Sequence, residues 1–308
     1  MPNLRFFLSI GKGCGTMTKS DRRTALLFFS PAAGFMILFF VYPMFLLVRD
    51  SLFDSKTGTE FVGADNYVNA LTSERFYKSL YNTVIFVVGA VSIELIIGLI
   101  LALLLSTGFK GSNFARTLFL SPLMIAPLVA GLIWKFMLND QFGILNSFLF
   151  KLGLIDSPQS ILWLSDERYA LLSCMIADIW LTTPFMMLVL LAGIQGISGS
   201  LYEAANIDGA SRMQRFWYIT LPSLKPVIVV AVLIRMIDAA RSFDIIWVLT
   251  QGGPNFASSL LSTMIYNTMA RYNQAGYASA LSILFIIILI SICGIFMLRL
   301  WNPNKKAV

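Results

Sequence analysis

Six apolar runs, each near the length a helix needs to cross a bilayer, dominate this chain. A crossing takes about 20 predominantly apolar residues, and residues 25–48, 82–105, 117–138, 169–193, 227–249 and 278–300 supply them. A backbone in lipid must satisfy its own polar groups, so such runs fold as helices rather than as open strands. The expected fold class is all-α and integral to the membrane, with six transmembrane helices. Only 13% of the residues are charged, about half the share of a soluble domain, so much of the surface must face lipid.

Composition removes several kinds of chemistry. The chain has no histidine, which excludes Ser-His-Asp triads and His-liganded zinc. Its cysteines are Cys14, Cys174 and Cys293, too few and too scattered for a disulfide framework or a Cys-x-x-Cys metal site. No catalytic or metal-binding set emerges. The net charge of +7 raises nucleic acid as a partner, but the basic residues sit at the ends of apolar runs rather than along one face. Residues 11–16, GKGCGT, lack the GxxxxGK[ST] spacing of a phosphate loop. The chain therefore carries no ATP site of its own. Met17 is an alternative start, and the first apolar run is too long and too far in for a cleaved signal peptide.

Lysine and arginine set the expected orientation. Arg5, Lys12, Lys19, Arg22 and Arg23 precede the first run; Lys110 and Arg116 follow the second; Arg212, Arg215 and Lys225 follow the fourth; Lys305 and Lys306 end the chain. The loops between are balanced or acidic. By the positive-inside rule both termini are cytoplasmic. The expected organisation is a tail at 1–24, a first span at 25–48, an outer loop at 49–79, a core at 80–300 with a cytoplasmic loop at 195–224, and a tail at 301–308. Outer loops of roughly thirty residues are long enough for short helices and are functional more often than connective. Trp163 and Tyr169 fit an interfacial aromatic belt.

The cytoplasmic loop after the fourth run is a polar island, LYEAANIDGASRMQRFWYITLP at 201–222. Its spacing predicts two short helices, with capping boxes at Ser200–Glu203 and Ser211–Gln214. Gly209 lies between them, where a helix end favours positive φ. Leu221–Pro222 is expected to close the unit, because the residue before proline avoids the helical region. Ile207, Phe216 and Ile219 are expected to pack the knob on its own bundle. A DNA-binding helix-turn-helix has a similar outline, but membrane anchors on both sides argue against it.

The island resembles the EAA motif of ABC importer permease subunits through Glu203, Ala204, Ala205, Gly209, Ile219, Leu221 and Pro222. FVGADNY at 61–67, Asn82–Thr83, IWLTTPF at 179–185, FDIIWVLTQGGP at 243–254 and GYASALS at 276–282 are similar to the carbohydrate-uptake branch, in its MalF-type subunit. The resemblance spans roughly residues 25–300. It implies a permease for a sugar, polyol or small glycoside, in the inner membrane, working with a second homologous permease, a dimeric ATP-binding subunit and an extracytoplasmic solute-binding protein. ATP and magnesium would sit on the partner ATPase, which Glu203, Ala204, Ala205, Asp208 and Gly209 would contact; a capping-box role for Glu203 and a C-cap role for Gly209 stand beside that. The extra spans and large outer domain of the bigger maltose-type subunits are absent from this sequence. An ABC importer permease for a non-sugar solute, a secondary transporter and a membrane enzyme are the alternatives; a secondary transporter does not account for a capped cytoplasmic knob, and absent histidine and scarce cysteine argue against an enzyme.

Ionisable residues inside spans are costly and usually face a bundle interior or an aqueous cavity. Here they are Glu94, Lys135, Asp178, Arg235, Asp238, Arg241 and Asp244. Asp178, Thr182 and Phe185 share one helical face, and Arg235, Ala239 and Ser242 a second, with Asp238 at its margin. The resemblance implies that these spans line the solute path, and the two faces offer hydroxyl-binding groups and a ring. The competing reading pairs Asp238 with Arg241 and Arg241 with Asp244 within one helix. Glu94 and Lys135 are candidates for structural partners across helices. Pro122, Pro127 and Pro184 are expected to kink the third and fourth spans.

Overall fold

The computed structural model describes residues 19–54 and 58–300, with side chains described from Leu27 to Arg299. Cys14, the 11–16 loop, Met17, Lys56, Lys305 and Lys306 lie outside the described residues, as do the side chains of Lys19, Arg22 and Arg23. Every regular element among the described residues is helical, apart from one isolated antiparallel bridge between Phe53 and Phe61. Five helices are long and apolar enough to cross a membrane, and a sharply bent pair makes a sixth.

The chain divides into two units. In the first, α1 (Lys19–Met36) runs through a π turn at Ile37–Val41 into α2 (Tyr42–Ser51). Pro31 lies inside α1 without ending it. Helices that are apolar all round belong in lipid or a core.

The second unit begins at Ser51. Its first helix, α3 (Asp65–Thr72), leads at once into α4 (Glu74–Ser106), 33 residues long. The third apolar run does not form one straight span. It divides into α5 (Ser112–Leu120), a 3₁₀ turn at Ser121–Met124 and α6 (Pro127–Met137), with the two arms bent by 97°. Ile125 and Ala126 are extended, Ala126 because a proline pushes the residue before it away from the helix. Pro184, by contrast, lies inside α8 (Glu167–Gln195) and does not end it. Between α6 and α8, α7 (Ile144–Lys151) is pinned by Asn146, which donates to the Ile161 carbonyl and accepts from Trp163 Nε1 at 2.7 Å. Asp166 caps α8, and the Arg168 guanidinium beside it holds its carboxyl below the usual carboxylate range.

After α8 come α9 (Gly199–Ile207) and α10 (Arg212–Arg215), which is continuous through a π turn at Phe216–Thr220 with α11 (Leu221–Ala240). Leu221 is helical, at φ −64° and ψ −43°, so the Leu221–Pro222 pair does not close the knob. Pro222 has no amide hydrogen to donate, and the widened π turn just before it accommodates the missing bond, so the helix runs on. The expected fifth span thus starts earlier, and it breaks at residues 241–243 before α12 (Asp244–Leu249). The chain ends with α13 (Leu261–Tyr266), a π turn at Asn267–Arg271 and α14 (Ala275–Leu300).

In the second unit α4 lies along α8, running parallel to it. Gly98 sets their separation: a Cβ there would lie 2.9 Å from Met186 Cβ and 3.0 Å from the Met187 nitrogen. Small residues at such crossings let backbones approach, and packing then replaces the hydrophobic drive that lipid cannot provide. The core contains Phe86, Met186, Met187, Leu190 and Ile246, all fully buried.

Candidate functional site

Three helices meet at a buried ionic cluster. Arg235 on α11 is 5% exposed, Glu94 on α4 is 0% and Asp178 on α8 is 4%. Arg235 Nε donates to Glu94 Oε2 at 2.7 Å, and its Nη2 donates to Glu94 Oε1 at 2.8 Å and to Asp178 Oδ2 at 2.9 Å. The planar guanidinium fork matches two carboxylates in a way that a lysine ammonium would not. Thr182 Oγ1 lies 2.9 Å from Glu94 Oε1 and 2.7 Å from the Asp178 carbonyl oxygen. The partner of Glu94 is therefore Arg235 and not Lys135, whose side chain is exposed. Asp178, without a charged neighbour on its own helix, finds one 57 residues away.

A cavity of 440 Å³ opens beside this cluster, and its wall includes Asp178, Thr182, Arg235, Asp238 and Ser242. Five of the six residues read as a solute face are thus brought together. Phe185 is not among the lining residues. It is half-buried, one turn further along α8, about 4.5 Å up the axis at 1.5 Å per residue. Arg241 pairs with Asp238 at 2.6 Å, with both side chains partly open to the cavity. The alternative pair of Arg241 with Asp244 does not form among the described residues. Helical spacing is lost at the 241–243 break, so i and i+3 no longer face each other. That break is held by Ser262 Oγ, which donates to the Ser242 carbonyl at 2.6 Å, and by ring contacts of Phe243 with Trp247 and Tyr266.

At one end of the bundle lies the knob. Gly209 has φ +71° with no atom near enough to obstruct a side chain, so only its backbone conformation demands glycine. Ser211 and Gln214 form the expected capping box. Ser200 and Glu203 do not. The helix starts at Gly199, with Ser198 as N-cap, which leaves Ser200 inside the first turn. Tyr202 OH and Thr220 Oγ1, 2.9 Å apart, tie α9 to the start of α11, and Arg215 donates to Asn206 Oδ1. Phe216 and Ile219 are half-buried against the bundle, whereas Ile207 is 87% exposed and is not buried against it as expected. Glu203, Ala204 and Asp208 are exposed with it, and Ala205 is half-buried. The knob presents one acidic and apolar face outward.

At the opposite end, the loop at 250–260 is organised by the first turns of α4. Asn82 donates to the carbonyls of Phe256 and Ser259, Thr83 Oγ1 accepts from the Leu261 amide, and Lys78 donates to the Asn255 carbonyl. These contacts join residues more than 170 positions apart. The sequence singles out Asn82–Thr83 and the 243–254 segment separately but carries no sign that they meet.

An all-helical core with an exposed capped knob and a polar cavity at a broken helix is the architecture of a membrane permease. The chain belongs to the family described as the binding-protein-dependent transport system inner membrane component, whose profile matches residues 94–306. It is a multi-pass permease subunit of an ABC importer. It is similar to the trehalose/maltose transport system permease protein MalF of Thermococcus litoralis, with 43% identity over 77% of this chain and 79% of that protein. The sulfoquinovosyl glycerol permease SmoG of Agrobacterium fabrum is 35% identical over 90% of each chain, and the trehalose permease SugA of Mycobacterium tuberculosis 34% identical over 86% of this chain and 84% of its own. The fold matches a solved bacterial ABC transporter that imports the acidic polysaccharide alginate, with a TM-score of 0.80, 24% identity, and coverage of 94% of this chain and 99% of that one.

Proposed function

We propose that this chain forms half of the translocation pathway of an ATP-driven importer for a sugar, polyol or small glycoside. The observation that carries the reading is the 440 Å³ cavity that gathers Asp178, Thr182, Asp238 and Ser242 around the Arg235 cluster. Carboxylates and hydroxyls there accept from and donate to solute hydroxyls in fixed directions. The trehalose and maltose permeases among its relatives support a saccharide. A second homologous permease supplies the other half of the path, and an extracytoplasmic solute-binding protein delivers the solute. The termini and the knob face the cytoplasm, a reading that the lysine and arginine distribution supports. The outward face of α9, with Glu203, Ala204, Ala205 and Asp208, docks in the partner ATPase, and Gly209 sets the turn that presents it. Closing of the ATPase dimer then moves the knob. Through the continuous helix from Arg212 to Ala240, that motion reaches the cavity.

The test is uptake normalised to purified complex for Asp178→Asn, Thr182→Val and Ser242→Ala, against a panel of neutral sugars and polyols. Each lost hydrogen bond to solute should weaken the interaction by about 0.5–1.5 kcal/mol. Normal uptake per complex in all three variants, with unchanged solute preference, would remove the cavity from the path.

A further inference from the structure

We propose that the chain carries a second saccharide site, at the end of the bundle away from the knob and separate from the cavity beside Arg235. The proposal rests on the sugar-importer reading for its choice of ligand. A cavity of 410 Å³ is enclosed there by the first turn of α4, the 250–260 loop, the π turn after α13 and the start of α14. That volume is within the range of about 300–1,000 Å³ of small-molecule sites. Glu74, Arg75, Phe256, Asn267, Gln274 and Tyr277 line it.

Their chemistry selects the ligand. Glu74 and Arg75 offer one charge of each sign, so the wall has no net preference for an ion. The Asn267 and Gln274 amides add a donor and an acceptor each. A neutral molecule with hydroxyls on several sides uses all of these, and a purely apolar ligand uses none. Among the described residues, the side chains of Glu74, Gln274 and Tyr277 make no hydrogen bond to the rest of the chain, and Asn267 Oδ1 is closed off from solvent without a partner. Buried polar atoms are nearly always paired, and an unpaired one calls for an explanation; a ligand hydroxyl supplies it once the amide turns toward the cavity. The aromatic wall is held in place. Phe256 sits at φ +59°, a conformation that bulky residues rarely adopt and that clusters at functional sites. Arg75 stacks over one face of its ring at 4.8 Å, and Asn82 holds its carbonyl at 3.0 Å. No part of this wall belongs to the Asp178, Arg235 and Ser242 cavity, which lies deeper along α8 and α11.

The experiment uses the assembled importer in nanodiscs, without its binding protein. Diazirine-bearing trehalose and maltose are photolysed with it, and labelled peptides are mapped by mass spectrometry. Uptake of both sugars is measured in parallel in cells. The expected result is labelling within 264–277 that excess unlabelled sugar abolishes. Gln274→Ala and Asn267→Leu should each raise the sugar concentration for half-maximal labelling, by roughly 2- to 10-fold for one hydrogen bond. Gln274 is partly exposed, so its variant tests the site even if Asn267→Leu fails to assemble. Uptake with labelling confined to the Asp178–Asp244 region, or with labelling of 264–277 that is unchanged by Gln274→Ala, overturns the second site and leaves the sugar reading standing. Absence of both uptake and labelling overturns both.

Discussion

Replacing Arg235 by glutamine should be the most damaging neutral substitution in the bundle interior. The guanidinium is held by two carboxylates through contacts of 2.7, 2.8 and 2.9 Å. Two unit charges about 4 Å apart attract by about 4 kcal/mol at an effective dielectric constant near 20. Both carboxylates paid a desolvation cost on burial that only this cation offsets. Removing one member of a buried pair costs about 3–5 kcal/mol, because the other is left uncompensated; here two are left. Arg235→Gln should therefore lose at least that much stability. Arg235→Lys should recover only part of it, since an ammonium cannot fork to both partners. The triple variant Glu94→Gln, Asp178→Asn, Arg235→Gln leaves no buried charge and should return to within about 2 kcal/mol of the parent. Equilibrium unfolding of the purified subunit in mixed micelles, titrated with SDS, measures all three. A loss below about 1 kcal/mol for Arg235→Gln, or a triple variant no more stable than the single one, would refute the reasoning, since a cluster that holds by charge must respond to charge.

Three further outcomes follow from the geometry. Gly209→Leu forces a side chain into the left-handed region, at about 1–2 kcal/mol, and should sharply reduce solute-stimulated ATPase activity of the complex while insertion stays normal; Gly209→Asn should be tolerated much better. Gly98→Val places a branched side chain where even a Cβ would meet Met186 at 2.9 Å, so complex recovered by size-exclusion chromatography should fall, whereas Gly34→Val, with nothing within 4 Å, should leave recovery unchanged. In a cysteine-free background, a cysteine at Asp156 should react with a membrane-impermeant maleimide in intact cells, and one at Arg212 only after lysis; the reverse pattern would invert the topology.

The apolar runs by themselves determined that this is a helical membrane protein, because lipid leaves a backbone no other way to pair its polar groups. Gly209 and the Ser211–Gln214 box were readable for a similar reason: each depends on neighbours within a few residues. Effects that depend on context were not. The same reasoning placed a break at Leu221–Pro222, where the helix continues, and expected a kink at Pro122 and Pro127 without its size, where the chain bends by 97°. A proline is tolerated or disruptive according to the turn that precedes it, and that turn is set by packing. The charged residues in the spans were legible one by one, but their partners were not. Glu94 and Arg235 are 141 residues apart, and helical periodicity says which face a residue occupies, not which face of another helix will meet it. Only the close approach of α4 and α8 at Gly98, with α11 laid beside them, decided that Asp178 and Glu94 would share one arginine and that a cavity would open next to it.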